Sequence, residues 1–301
     1  MKTQNQQISL PILQEKKVLL FIKREDLIHP FISGNKFRKL KYNLLEAKKK
    51  GHDTLLTYGG AFSNHIAATA YAGREAKMRT IGVIRGEELR TKWHENPTLA
   101  FAGRQGMQFH FLSREAYREK TTSGELQKLE ALFGRFYELP EGGSNSLAVK
   151  GCEEMLTSRD LQFDVVCAAV GTGTTLAGIS NAASSEQSVL GFPSLKGDFL
   201  KEDIRKFAFK GNWNLQTEYH FGGYAKVTRE LIEFMNRFKQ ETQVPLDPVY
   251  TGKLLYGILD MVKKDRFKPN SSLLAIHTGG LQGRIGMNMK LKKKNLPLIQ
   301  L

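Results

Sequence analysis

The sequence predicts an α/β protein built on twisted, mostly parallel sheets with flanking helices, and three strand-to-glycine junctions carry that prediction. Thr54 to Tyr58 (TLLTY) is an apolar strand closed by Gly59-Gly60 and followed by a small-residue helix from about Asn64 to Glu75. Phe163 to Ala169 (FDVVCAA) runs into VGTGTT, with a helix beginning near Thr175. Leu273 to His277 (LLAIH) ends in the turn Thr278-Gly279-Gly280. Arg79 to Ile84 (RTIGVI) follows the first helix closely enough to be the next parallel strand of a right-handed crossover. Ligands bind beyond the carboxyl ends of strands in open α/β sheets, so the three junctions predict one convergent site. Pro140 to Asn145 (PEGGSN) is the clearest internal turn and a candidate domain crossing.

The 301 residues, 41% hydrophobic and 25% charged, describe an ordinary globular chain that forms one large domain or two sharing a cleft. Met1 to Gln7 is polar, and no apolar run approaches the roughly 18 residues a spanning helix needs, so neither secretion nor a membrane partner is expected. Cys152 and Cys167 lack a CxxC spacing or a nearby histidine cluster, so no metal site or disulfide is expected, and a reducing cytoplasm fits best. The formal charge of +15 is spread over short clusters such as Lys48 to Lys50 and Lys290 to Lys294, mixed with acids. That is the pattern of a solvated surface rather than a nucleic-acid groove.

VGTGTT, Val170 to Thr175, presents backbone N–H groups and threonine hydroxyls where a phosphate could sit, and read alone is equally a tight turn before a helix. It lacks the Gly-Lys-Ser/Thr ending of a P-loop, and Leu176 breaks the dinucleotide fingerprint. Ser33 to Leu40 (SGNKFRKL) places Lys36 after a Ser-Gly-Asn turn, with Lys39 about one helical turn on. By itself a lysine at a helix start is a solvated surface residue. Tyr58 to His65 (YGGAFSNH) sets Ser63 and Asn64 at the first turn of a helix, either an ordinary cap or an anion site. Asp247 to Lys253 (DPVYTGK) presents Tyr250 and Thr251 beyond a helix from Arg229 to Gln240.

Taken together and in order, KRED at Lys23 to Asp26, SGNKFRKL, GGAFSNH, EGGSN, VGTGTT, DPVYTGK and HTGG at His277 to Gly280 resemble one family. They are similar to the tryptophan-synthase-like (fold type II) pyridoxal-phosphate enzymes, and more closely to the D-cysteine desulfhydrase and 1-aminocyclopropane-1-carboxylate deaminase family. The blocks span about residues 20 to 283. The resemblance implies pyridoxal 5'-phosphate held as a Schiff base on Lys36, with the ring hydroxyl on Asn64. It implies Lys39 and the loop Gly171, Thr172, Gly173, Thr174 and Thr175 at the phosphate, and Thr251 at the pyridine nitrogen. Ser63, Asn64, His65 and Thr278 are implied at the substrate, with Lys36, Tyr250, Tyr224 of FGGYA and Ser63 as catalytic residues. Such a lysine needs burial and nearby cations to lower its pKa, and once displaced by substrate it is the natural proton shuttle at the α-carbon.

Three positions indicate the branch. Thr251 stands where the deaminases carry a glutamate, His65 where they carry glutamine, and Thr278 where they tend to carry leucine. A threonine hydroxyl supplies no negative charge to the ring, which suits elimination of a good leaving group better than opening a carbocycle. The expected activity is α,β-elimination on D-cysteine or a related β-substituted D-alanine. The alternatives are 1-aminocyclopropane-1-carboxylate deamination and a basic nucleic-acid-binding protein on an inactive scaffold. A larger cofactor domain of residues 1–38 and 145–301, a smaller inserted domain of residues 39–144, and a homodimer are also expected.

Overall fold

The computed structural model describes residues 3–32, 34–197 and 200–301, so Ser33 of the SGNK turn lies outside the described residues. Ten strands form two sheets among these residues. β1 (Asn5–Ile8), β2 (Leu19–Lys23), β7 (Val165–Val170), β8 (Ser188–Pro193), β9 (Trp213–Leu215) and β10 (Ser272–Ile276) make a six-stranded sheet in the order β1-β2-β10-β7-β8-β9. Only the edge strand β1 runs antiparallel to its neighbour there. β3 (Thr54–Gly60), β4 (Arg79–Arg85), β5 (Gln108–Leu112) and β6 (Tyr137–Leu139) form a parallel sheet in the order β5-β4-β3-β6. Thr54 pairs with Arg79, the crossover expected from the sequence.

The larger sheet is buried on both faces, which is why β7 and β10 read as continuous apolar runs. Alternation assigns the faces: Cys167, Ala169, Leu273 and Ala275 join one core with Leu254 and Ile258 of the helix Thr251–Lys263. Val166, Ala168, Leu274 and Ile276 join the other with Leu176 and Ile179 of the helix Thr174–Ala182. In the smaller sheet, Leu55 packs with Leu40 of the helix Asn35–Lys49 and with Ala68 and Ala72 of the helix Asn64–Glu75. The helix Asn35–Lys49 therefore packs on the smaller sheet, while its first residues reach the turn after β10.

Two glycines allow that helix its position. Gly34, at φ +47°, lies so close to the turn after β10 that a Cβ there would sit 2.0 Å from the Thr278 carbonyl oxygen. Gly151, on the helix Ser146–Glu153, would place a Cβ 2.0 Å from the Arg38 carbonyl oxygen. The two helices thus meet backbone to side-chain-free backbone.

The KRED segment locks the same region with charge. Lys23 donates to both Asp160 oxygens at 2.9 and 2.8 Å, and Arg24 grips Asp26 through two bonds of 2.9 and 2.8 Å. Arg38 donates to both Glu25 oxygens at 2.9 Å, and Arg38, Glu25, Lys23 and Asp160 are all buried.

Gly151→Ala is expected to lower the unfolding free energy by about 2–4 kcal/mol, since a backbone must shift to admit the methyl group. Gly124→Ala, in open space on the helix Ser123–Phe133, is expected to be neutral or stabilising by up to about 1 kcal/mol. Urea unfolding of both variants checks this; similar effects would mean the helix contact at Gly151 is not tight.

Candidate active site

The carboxyl ends of β3, β6, β7 and β10 point to one place, and the loops that follow them carry the candidate residues. Lys36 is the second residue of its helix, where Gly34 and the Asn35 N–H, donating to the Thr278 carbonyl at 3.2 Å, set the helix start. Its ammonium donates to Asn35 Oδ1 at 3.2 Å, and Asn35 Nδ2 donates to Thr175 Oγ1 at 2.9 Å. Two hydrogen bonds therefore link the lysine to the glycine-rich loop. Burial, helped by the neighbouring Lys39 cation, pushes the Lys36 ammonium down to about 7.

Lys39, one turn on, is buried and donates to the Gly142 carbonyl at 3.0 Å, with Thr172 Oγ1 at 3.5 Å. Burial lowers its pKa as well. Ser144 donates to Thr172 Oγ1 at 2.7 Å and accepts from Thr174 Oγ1 at 2.9 Å. Lys39, Ser144, Thr172 and Thr174 thus form one cluster of donors at the start of the helix Thr174–Ala182. The His65 ring is buried against Gly143, where a Cβ would come within 3.1 Å of Cε1. Burial and then the Lys36 and Lys39 charges hold that imidazole well below its ordinary value, so it is neutral.

Ser63 caps the helix Asn64–Glu75 by accepting from the Ile66 N–H at 3.3 Å. Asn64 Oδ1 accepts from Gln282 Nε2 at 2.9 Å, and its Nδ2 lies beside Gly280 and so beside the HTGG turn. Thr278 is buried there.

Tyr250 stands at the start of the helix Thr251–Lys263 and packs on Gly171, where a Cβ would lie 3.1 Å from its ring. The Tyr224 ring meets it at 6.4 Å between centroids and 65°. Burial raises both phenols, Tyr250 well above its ordinary value with the neighbouring Tyr224 and Asp247 adding to the rise. Both are protonated donors at neutral pH.

Thr251 brings an amendment to the sequence reading. Its hydroxyl donates to Asp247 Oδ2 at 2.8 Å and accepts from the Asp247 N–H at 2.8 Å. Its one proton is committed, so the hydroxyl can offer a ring nitrogen only an acceptor, and a carboxylate stands directly behind it. Asp247 also accepts from the N–H groups of Val249, Tyr250 and Thr251, at 2.9, 2.9 and 2.8 Å. It organises the whole DPVYT turn, as Asn35 organises Lys36 and Ser144 the glycine-rich loop. Sequence reasoning quoted all three within motifs but gave them no role. The signal was available at Asp247, since an Asp-Pro opening a helix marks a side chain that bonds its own backbone.

The cluster fits pyridoxal phosphate on its own chemistry. Lys39 is a buried cation with no carboxylate in ion-pair distance among the described residues, beside hydroxyls and a helix N-terminus, as a phosphate dianion requires. Lys36 is an amine of depressed pKa within reach of that cluster through Asn35.

Comparisons with known proteins agree. The family model described as pyridoxal-phosphate dependent enzyme matches residues 4–279. The bifunctional D-cysteine desulfhydrase/1-aminocyclopropane-1-carboxylate deaminase of Arabidopsis thaliana is 35% identical over 88% of this chain and 73% of its own. A putative 1-aminocyclopropane-1-carboxylate deaminase of Pyrococcus horikoshii is 30% identical over 90% and 87%. The crystal structure of an ACC deaminase homologue superposes with a TM-score of 0.83 at 27% identity, covering 97% of this chain and 94% of that one. On this evidence, the chain belongs to the pyridoxal-phosphate dependent enzymes of fold type II.

Proposed function

We propose that the chain eliminates a β leaving group from a small amino acid, D-cysteine or a related β-substituted D-alanine. With D-cysteine and one water the products are pyruvate, ammonia and hydrogen sulfide. The observation that carries this reading is the Lys36 ammonium, joined through Asn35 to the glycine-rich loop that Lys39 also faces. When bound, pyridoxal phosphate supplies the electron sink for charge at the α-carbon. Near neutral pH Lys36 is populated both as amine and as ammonium, so it can take the α-proton and return it. Lys39 and residues 171–175 hold the phosphate in this reading, and Asn64 the ring hydroxyl. Ser63 and the N-terminal end of its helix bind the substrate carboxylate, with His65 and Thr278 beside the side chain. Tyr250 and Tyr224, both protonated, donate to the leaving group.

Elimination is favoured over ring opening because position 251 carries a hydroxyl rather than a glutamate, so any negative charge reaches the ring only through Asp247 and Thr251. A thiolate leaving group carries charge away and needs less help. Ring opening of 1-aminocyclopropane-1-carboxylate is the second reading, favoured by the name of the Pyrococcus relative, while that of the Arabidopsis relative covers both activities.

Membership of the family supports a cofactor domain of residues 1–38 and 145–301 with an inserted domain of residues 39–144, in line with the strands of the two sheets. A cytoplasmic homodimer without nucleic-acid function belongs to the same proposal. Among the described residues no helix is long and apolar enough to cross a membrane.

Lys36→Ala is expected to fold normally yet lose the visible absorbance of bound cofactor and all turnover. Retained absorbance after gel filtration and borohydride would assign the attachment to another lysine. In cofactor-free protein the neutral amine is the attacking form, so the rate of attachment should rise with pH through about 7 and then level. A lysine at its ordinary value would still be gaining near pH 10. Lys39→Ala removes a cation that lowers the Lys36 pKa, so the midpoint should move up; stopped-flow absorbance reads both. Assayed side by side, kcat/KM should favour D-cysteine over 1-aminocyclopropane-1-carboxylate by at least about tenfold, a transition-state difference of about 1.4 kcal/mol. The opposite order would establish the second reading.

A further inference from the structure

The helix Thr251–Lys263 carries, one turn after Tyr250, a lysine to which the reaction gives no role. Lys253 is fully buried, and among the described residues no carboxylate lies within ion-pair distance of it. Burial pushes its ammonium down to about 8, partly offset by Asp247. A buried cation without a counter-ion is costly, and a methionine would fill the same volume without that cost. Its partners show what the charge accomplishes. The ammonium donates to the carbonyls of His220 and Gly223, each at 2.8 Å.

Those carbonyls belong to the loop that presents Tyr224, and the loop is strained. Phe221, Gly222, Gly223 and Ala225 have φ of 52°, 87°, 115° and 53°, a left-handed conformation unfavourable for phenylalanine and alanine. Its own bonds are few: Gly223 N–H to the His220 carbonyl at 3.0 Å, Lys226 N–H to the Gly223 carbonyl at 3.2 Å, and Gly222 N–H to His220 Nδ1 at 2.9 Å. Packing holds the tyrosine only in part, since Tyr224 touches the Tyr250 ring yet is 46% exposed. The lysine reinforces the same two carbonyls that close the successive turns.

We propose that Lys253 is a positioning residue that clamps the loop His220–Ala225 from beneath and so holds Tyr224 against Tyr250. One rigid helix then carries Tyr250 at its start and the clamp that places its partner one turn later, which fixes the pair as a unit. The inference rests on the reading of these tyrosines as active-site residues, and its test separates the two.

Amide hydrogen exchange of residues 220–226, compared between wild type and Lys253→Met, reads the clamp without any substrate. Exchange in this segment is expected to quicken by about tenfold while the core strands β7 and β10 keep their protection. Turnover gives the second measurement: Lys253→Met should lower kcat by about tenfold in the wild-type background and by less than about twofold in a Tyr224→Phe background, because both changes act through one side chain. Lys253→Gln, which keeps two amide donors, should restore part of both, and it carries the same measurements if the methionine variant fails to fold. Unchanged exchange in the segment overturns the proposal, and so does an equal loss of kcat in both backgrounds. If wild type turns over neither D-cysteine nor 1-aminocyclopropane-1-carboxylate, the functional reading fails and the exchange result alone decides the role of Lys253.

Discussion

The buried, two-bonded ion pair between Arg38 and Glu25 sets the reference frame of the molecule. Glu25 lies just beyond β2 of the larger sheet, and Arg38 lies on the helix that bears Lys36 and Lys39. The pair therefore transmits the position of one sheet to the helix lying on the other. A buried pair of this kind gains little over apolar packing, yet losing one partner costs about 3–5 kcal/mol, because the remaining charge is stranded. Its value is directional. Two parallel bonds to a planar guanidinium fix the rotation of the helix as well as its distance, which a cluster of leucines would leave looser. Lys23 with Asp160 and Arg24 with Asp26 extend the same rigid seam.

Against this seam of paired charge, the lysines of the centre have no carboxylate within ion-pair distance among the described residues. Lys36, Lys39 and Lys253 all have lowered pKa values, burial being the largest cause for each. Low dielectric weakens each ammonium and strengthens its attraction for an anion in the same measure. The fold thus spends part of its stability on a site whose field already suits a phosphate and a carboxylate. His65 answers the same field by staying neutral, and Cys152, its thiol raised by burial, remains protonated although Lys36 and Lys39 pull the other way.

Much of this was legible in the chain. The helix Asn64–Glu75 and the strands ending in glycine turns have the expected bounds to within a residue or two, because apolar runs and glycines are local signals. The short strands β1, β6 and β9, of three or four residues, carry too little pattern to be read. What sequence cannot express is partnership across distance. Lys39 and Gly142 are 103 residues apart, and the proton of Thr251 looks free until Asp247 is seen beneath it. Lys253, quoted only as the end of DPVYTGK, had no role in the sequence for the same reason: its ligands are carbonyls, which no residue type announces.

The contact of Gly151 with the Arg38 carbonyl also bears on how such a site can change over time. The register of the lysine helix is set there by main chain, which substitutions elsewhere do not alter. In the proposed reading the residues beside a substrate's side chain are His65 and Thr278, and they lie on other segments, the helix Asn64–Glu75 and the turn after β10. Anchoring and selectivity are consequently written in separate parts of the polypeptide. A lineage can exchange one amino acid for another as substrate while the attachment point stays where it was.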